Sequence, residues 1–203
     1  LALELRERVT ELVAQAQAVL QPTRKLELAT LVRTFTLRTS EGFVETFGPS
    51  LIAHIARSAP KVRLRFVTKA ERDSDPLREG TADLEIGVVG QATGPELRTQ
   101  LLFRDRWIGV VRQGHRLGKG RITPARYAAE NHVLVSRRES RRSPIDDALE
   151  RIGLAREITT VVGSYSTALA LARASDLVAS VPERLTEQQR SRLTGFALPI
   201  ATP

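Results

Sequence analysis

The chain has 203 residues, of which 41% are hydrophobic and 27% are charged, a composition that is typical of a folded globular protein and excludes disordered, collagen-like and membrane-spanning classes. Its net charge of +8 invites a nucleic-acid interpretation, but the arginines are dispersed and approach a cluster only between residues 137 and 142, so a basic solvated surface is favoured. The absence of cysteine excludes a disulfide framework, a thiolate metal site and a cysteine nucleophile.

The first predicted element is an N-terminal helix. Its apolar residues repeat at alternating intervals of four and three, at Leu5, Val9, Leu12, Ala16 and Val19. This spacing places them on one stripe of a helix, as in a coiled coil, and Pro22 ends it. A core-facing helix is the commoner explanation of so short a stripe, but no element precedes it to pack against. A linker or dimerisation helix over residues 1–22 is therefore expected.

A series of alternating strands and helices follows. Residues 33–38 (RTFTLR) alternate as a strand, and Ser40 is the predicted N-cap of a helix with an apolar residue at every fourth position from Phe43 to Ile55. The next predicted members are a strand at 62–67, a short helix at 75–80 and a strand at 82–89. This order predicts a mostly parallel sheet covered by helices, with a ligand crevice at the carboxyl ends of the strands.

A second α/β series is predicted after the glycine and proline residues of 90–95. Its members are a strand-like stretch at 101–111, a GHRLG turn at 114–118, helices at 123–130, 144–152, 165–174 and 183–192, and strands at 132–136, 158–162, 177–181 and 195–200. Two similar α/β lobes are therefore expected.

Several segments, taken in order, resemble the regulatory half of LysR-type transcription regulators. RTFTLRTSEGF, SAP, VRLRFV, LREG and DLEIGV resemble the first regulatory subdomain, and WIGVVRQGHRLG resembles the strand and turn that open the second, with Arg116 where the family commonly has proline. Residues 164–185 (SYSTALALARASDLVASVPERL) are similar to a late helix, strand and proline signature, although residues 174–176 replace a more usual glycine-rich turn. The resemblance lies in the order of the segments and covers nearly all of the chain.

The resemblance implies an α/β fold like that of a type II periplasmic binding protein, with two Rossmann-like subdomains joined by two crossover strands, near residues 89–102 and 195–200. Subdomain I would comprise residues 23–90 and 196–203, and subdomain II residues 91–195. The implied partners are a small-molecule effector, bound in the cleft between the lobes and expected to be anionic from the basic balance, and DNA, bound through a helix-turn-helix domain absent from this chain.

The same resemblance implies a homodimer or homotetramer, and no cofactor is expected. No apolar run reaches the 18 residues of a membrane span, and the first residues (LALELRERV) do not resemble a secretory signal. A cytoplasmic protein without a membrane partner is therefore expected.

Candidate ligand-binding residues lie where predicted strands end. Thr39 and Ser40 stand between a strand and a helix, where hydroxyls and the free N–H groups of the helix can hold an anion. Plain helix capping explains a serine there equally well, but the position matches the effector-site turn of the family, which favours ligand binding. Thr68 and Lys69 follow the next strand in the same way, with a weaker claim.

The second lobe offers a similar set. Tyr165, Ser166 and Thr167 open the helix that follows Ser164, and capping is again the alternative, while the tyrosine ring could equally pack inward. Ser136 and Arg137 follow the strand HVLVS, where arginine can pair bidentately with a carboxylate, although a solvated arginine is more common.

Catalysis has little support in the sequence. The three histidines, His54, His115 and His132, are far apart, no metal-ligand or nucleophile motif occurs, and Asp146 and Asp147 are neighbours on a predicted helix and so point in different directions. We expect no enzyme. The main alternative is the solute-binding protein of a transporter, which would share the fold but need an export signal, and a small α/β enzyme is a further one.

Overall fold

The computed structural model describes residues 27–68, 75–88, 96–136 and 142–202. The predicted helix at residues 1–22 and the segment at 89–95, which forms half of the first predicted crossover, lie outside the described residues.

The described residues form eight strands and five α-helices. The strands are β1 (Thr34–Thr39), β2 (Arg63–Thr68), β3 (Leu84–Glu85), β4 (Trp107–Arg112), β5 (Asn131–Val135), β6 (Glu157–Val162), β7 (Val178–Pro182) and β8 (Leu193–Ala197). The helices are α1 (Glu41–Ser58), α2 (Asp75–Arg78), α3 (Pro124–Ala128), α4 (Pro144–Glu150) and α5 (Tyr165–Ala174), with 3-10 segments at Arg116–Gly118 and Arg184–Gln189.

Two sheets divide the chain into two lobes. The first lobe, residues 27–68 and 75–88, holds a parallel sheet with the strand order β2-β1-β3. The second lobe, residues 107–136 and 142–202, holds a sheet with the order β6-β5-β7-β4-β8, in which β5 runs parallel to β6 and β7, while β4 runs antiparallel to β7 and β8. The α/β architecture with two sheets agrees with the prediction.

The core of the second lobe covers both faces of its sheet. Consecutive residues of a strand point to opposite faces, and the fully buried Val110 and Val111 accordingly belong to different apolar clusters. Val110 packs with Leu169 of α5, and Val111 packs with Tyr127 of α3 and Leu149 of α4. The sheet is therefore sandwiched between α5 on one side and α3 and α4 on the other.

The end of the chain differs from the predicted boundary at residue 196. Phe196 and Ala197, expected in subdomain I, pair with β4 in the second sheet, and Leu198 and Ile200 pack against its core. The pairing places Phe196 opposite Gly109, whose missing side chain leaves room for the ring. The second sheet therefore extends at least as far as residue 197.

Three predicted elements differ most from the structure. The strand predicted at 82–89 is paired only at Leu84–Glu85, the one at 101–111 begins at Trp107, and the helix at 183–192 is a 3-10 segment at Arg184–Gln189. Leu101 and Leu102 look like strand residues but are 71% and 60% exposed, so no core holds them in a sheet.

Candidate ligand cavity

The junction between β1 and α1 is built as the sequence predicts. Ser40 has extended backbone angles, and its hydroxyl accepts a hydrogen bond from the Phe43 N–H at 3.3 Å. Ser40 is therefore the N-cap of an 18-residue helix. The strand ends immediately before it, so the free N–H groups of the first turn of α1 face the carboxyl edge of the sheet.

Thr39 is the unusual residue of this junction. Its side chain is buried, with 1% of the residue exposed, and its hydroxyl has no hydrogen-bond partner within the described part of the chain. A buried hydroxyl without a partner costs free energy, so most such groups are satisfied in folded proteins. The described residues therefore leave the hydrogen-bonding capacity of the Thr39 hydroxyl unused.

A cavity of about 260 Å³ opens beside Thr39. It lies at the carboxyl ends of β1 and β2, under the first turns of α1, and the strand register places Thr39 opposite Thr68. Its lining residues are Thr39, Glu41, Val44, Glu45, Phe66, Val67 and Thr68. The cavity thus brings together two predicted site residues, Thr39 and Thr68, and combines an apolar wall with hydroxyls and carboxylates.

Glu41 and Glu45 are cavity residues that the sequence analysis missed. They lie one helical turn apart on α1 and add two carboxylates to the lining. Their spacing directly after Thr39 and Ser40 was the available signal, since residues four apart share a helix face. The described lining contains no lysine or arginine, so its local charge is opposite to the net charge of the chain.

The predicted residues of the second lobe lie around the N-terminus of α5. Ser164 caps this helix by accepting from the Thr167 N–H at 3.2 Å, and its hydroxyl also lies 3.1 Å from the Ser166 hydroxyl and 2.9 Å from that of Thr167. The hydroxyls of Ser166 and Thr167 are therefore tied to the cap. In this arrangement the two hydroxyls take part in the hydrogen bonds that cap the first turn of α5.

The N-termini of α1 and α5 lie next to each other. A Cβ placed on Gly42 would lie 3.3 Å from the Leu185 carbonyl oxygen and 3.8 Å from Cδ2 of Tyr165. The Tyr165 ring also contacts Trp107 edge-on, with 6.2 Å between the ring centroids. Tyr165 thus lies between the second sheet and α1. Two predicted site residues, Ser40 of the first lobe and Tyr165 of the second, therefore lie where the N-termini of α1 and α5 meet.

Hydrogen bonds cross between the lobes beside this junction. The Thr46 hydroxyl donates to the Leu185 carbonyl at 2.8 Å, and the Gln189 side-chain N–H donates to Oε2 of Glu45 at 2.8 Å. Both bonds join α1 to the 3-10 segment Arg184–Gln189. These residues were not among the predicted site residues because nothing local to either segment indicates the long-range contact.

The remaining predicted residues lie elsewhere or outside the description. Ser136 follows β5, where its N–H donates to the Val162 carbonyl at 2.9 Å, and it is not part of the cavity lining. Lys69 and Arg137 lie outside the described residues. Their roles stay predictions.

The described segments contain no cluster of side chains that could ligate a metal ion, since no three of their histidine, aspartate or glutamate side chains lie close enough together to hold one. His115 accepts a hydrogen bond from the Leu117 N–H at 3.1 Å, and His132 contacts the Tyr127 carbonyl at 2.9 Å, so both serve the packing of the second lobe. None of the helices described is long and apolar enough to cross a membrane.

The comparison with protein families decides the assignment. Residues 29–202 match the LysR substrate binding domain. The chain belongs to this family. The match includes the β1–α1 junction, the cavity and the whole of the second lobe, and it confirms the resemblance on which the two-lobed fold was predicted.

Relatives of this LysR-family chain are transcriptional regulators rather than enzymes or transporter components. The HTH-type transcriptional activator NagR of a Ralstonia species is 27% identical over 188 residues, covering 90% of this chain and 61% of NagR. The chain therefore spans about three fifths of the length of this relative. These findings favour a regulator over the solute-binding alternative.

Solved structures confirm the fold. The probable transcriptional regulator PA0477 from Pseudomonas aeruginosa has a TM-score of 0.75 and 25% identity, covering all of this chain and 69% of that one. The BenM effector binding domain, solved with its effector benzoate, has a TM-score of 0.63 and 18% identity, covering 84% of this chain and 81% of that one. The chain has the type II periplasmic-binding-protein-like fold of these domains.

Proposed function

We propose that this chain is the effector-sensing part of a LysR-type transcription regulator. It binds a small molecule in the cavity at the ends of β1 and β2 and responds through the contact between its lobes. The observation that carries the proposal is Thr39, a residue of the cavity wall whose buried hydroxyl has no hydrogen-bond partner among the described residues. Such a group is stabilised when a ligand supplies the missing hydrogen bond.

The proposed ligand contacts fall into two groups. Thr39 and Thr68 line the cavity, whereas Ser40, at the start of α1, and Tyr165, Ser166 and Thr167, at the start of α5, border the adjoining junction and are proposed as further contacts. Lys69, Ser136 and Arg137 remain predicted contacts. BenM, a fold neighbour, was solved with benzoate, which supports a compact organic molecule as the class of ligand.

The wider role of the protein follows from its relatives. NagR is named as a helix-turn-helix activator, and the chain spans only part of that relative. We therefore propose that a DNA-binding unit outside this chain reads the promoter, that the protein works as a homodimer or homotetramer, and that it acts in the cytoplasm, where the DNA is. Ligand binding can shift the lobes only if the ligand prefers one arrangement over the other.

Thermal unfolding of the purified chain against a ligand panel tests the proposal. A ligand that binds only the native state raises the unfolding temperature in a dose-dependent way, so we expect one chemical class in a panel of aromatic and aliphatic carboxylates, amides, amines and amino acids to do so. Ser40→Ala and Thr167→Ala should weaken that response while the variants remain folded. An unchanged response in both would overturn these two site assignments.

A further inference from the structure

One cavity residue also belongs to the contact between the lobes. Glu45 lines the cavity, and its Oε2 accepts the hydrogen bond from the side chain of Gln189. Among the described lining residues, Glu45 is the only one with a hydrogen bond to the second lobe. The carboxylate therefore touches the space where a ligand would lie and the lobe that would have to move.

Gln189 is also hydrogen-bonded within the second lobe, through its backbone. The Gln189 carbonyl accepts from Nη2 of Arg173 in α5 at 2.8 Å, and the Oε1 atom of Gln189 is buried without a partner in the described chain. The bond to Arg173 therefore joins the backbone at Gln189 to α5. The N-terminus of α5 carries Ser164 and the hydroxyls proposed above as ligand contacts.

A ligand in the described cavity can affect the second lobe only through a residue that connects the cavity to that lobe. All the described lining residues belong to the first lobe, and a ligand with equal affinity for two lobe arrangements shifts nothing. Glu45 supplies this difference in affinity, because a ligand donor that bonds to its Oε2 atom competes with the Gln189 amide for the same oxygen. Occupation of the cavity would then loosen the bond that joins α1 to the segment Arg184–Gln189.

The lining also indicates which ligands would compete for the Glu45 carboxylate. The carboxylates of Glu41 and Glu45 attract N–H and O–H donors and repel a free carboxylate, while Val44, Phe66 and Val67 offer an apolar wall. We propose that Glu45 couples ligand occupancy to the lobe contact, and that the effector is a compact apolar molecule carrying a hydrogen-bond donor. This inference rests on the proposed effector function and replaces the anionic ligand expected from net charge.

Two variants separate ligand recognition from lobe coupling. Glu45→Gln keeps a side-chain oxygen that can accept from Gln189 but removes the negative charge from the cavity. Gln189→Ala keeps the charge but removes the hydrogen bond between the lobes. Thr46→Val is the matched control, because Thr46 bonds across the lobes to Leu185 but does not line the cavity.

Binding is measured by calorimetry on the 203-residue chain, with benzamidine, benzamide and benzoate as probes of one shape and different charge. We expect benzamidine to bind most tightly and benzoate most weakly. Glu45→Gln should weaken the binding of benzamidine about tenfold, since a charge-assisted hydrogen bond is lost. Gln189→Ala should bind benzamidine at least as tightly as the unmodified chain.

Lobe movement is measured separately by double electron–electron resonance. The chain has no native cysteine, so Ala53→Cys on α1 and Ile152→Cys after α4, both at exposed positions, give one spin label on each lobe. Benzamidine should change the distance distribution in the otherwise unmodified chain and in Thr46→Val. It should leave the distribution unchanged in Gln189→Ala, although the probe still binds.

The outcomes distinguish this inference from the proposed function. If benzamidine binds and Gln189→Ala still responds like the unmodified chain, coupling through Glu45 is overturned while effector binding stands. If benzoate binds and benzamidine does not, the donor-bearing ligand class is wrong. If none of the three probes binds, this inference fails, and the proposed function is judged by the wider thermal panel.

Discussion

Arg156 and Asp146 form a buried ion pair in the second lobe, with 2.7 Å between Nε of the arginine and Oδ1 of the aspartate. The Arg156 side chain is 1% exposed, and its guanidinium also donates to the Tyr127 hydroxyl at 3.2 Å and to the Ser143 hydroxyl at 3.1 Å. Asp146 in turn accepts from the Ser143 N–H at the start of α4. The pair therefore connects the cap of α4 to the core.

Removal of the Arg156 guanidinium should destabilise the lobe strongly. In Arg156→Ala the partly buried Asp146 carboxylate keeps only its bonds to Ser143, and the Tyr127 hydroxyl keeps only its bond to Ser180. Breaking a buried pair costs about 3–5 kcal/mol, and the lower end of this range is expected because these bonds remain. Urea unfolding measures the loss. Arg151→Ala, which changes an exposed arginine nearby, should stay within about 0.5 kcal/mol of the unmodified chain. Equal effects of the two variants would show that the buried pair contributes little.

The stability of the chain should fall as the pH drops below about 6.5, because of His132. Burial, with the nearby Arg156 charge as a second cause, lowers the pKa of His132 to about 4 from 6.5. Between these values the unfolded chain binds a proton that the folded chain does not, so the stabilisation present above pH 6.5 is lost as the pH falls towards 4.

The shift of the His132 pKa predicts a loss of about 2 kcal/mol between pH 7 and pH 5. Urea unfolding at the two pH values measures it. His132→Gln should lose most of this pH dependence, because no group titrates at that position. His54→Gln, at an exposed position on α1, is the control and should keep the dependence. A steep slope that survives in His132→Gln would assign it to other groups.

Local signals explain which parts of the fold were predictable. Helix α5 was predicted with its observed bounds, since the cap Ser164 and the apolar spacing up to Ala174 lie within the helix itself. Asp146 and Asp147 were predicted to point apart, and they do: Asp146 pairs with the buried Arg156, and Asp147 with the exposed Arg142. Neither conclusion needed information from distant parts of the chain.

Long-range contacts determine the parts of the fold and of the cavity that could not be predicted. Phe196 was assigned to the first lobe because its pairing with Gly109 of β4, distant in sequence, leaves no local pattern. Glu45 has the sequence signature of an ordinary solvated helix residue. Only the packing of α1 over the ends of β1 and β2 shows that it lines a cavity, and only the position of Gln189 shows that it meets the other lobe. Thr39 and Thr68 could be selected from the sequence because strand ends are themselves a local signal, and both residues line the cavity.

Gly109 should not tolerate a side chain. A Cβ at this position would overlap the Phe196 ring of the neighbouring strand, so the ring or the strand must shift. Overpacking of this kind costs about 1–3 kcal/mol, measurable by urea unfolding of Gly109→Ala. Adding Phe196→Ala should cost less than the sum of the two single changes, because the clash is gone. Strict additivity would contradict the contact.

Gly118→Ala, where a Cβ meets nothing within 4 Å, is the control for introducing alanine.

Thr39→Val should separate stability from ligand binding. Valine has nearly the shape of threonine but no hydroxyl, and the Thr39 hydroxyl is buried with no partner in the described residues. Its removal relieves a desolvation cost, so the ligand-free chain should be as stable as before or more stable by about 1 kcal/mol. Because the same hydroxyl is proposed to meet the ligand, the thermal shift produced by the ligand should shrink.

Thr186→Val is the matched control for this test. Thr186 is also buried, but its hydroxyl donates to the Pro182 carbonyl at 2.6 Å. The same substitution there leaves that carbonyl without its partner and should cost about 1 kcal/mol or more. If Thr39→Val loses as much stability as Thr186→Val in urea unfolding, the Thr39 hydroxyl is hydrogen-bonded in the folded chain, and it is not the free group on which the proposed ligand site depends.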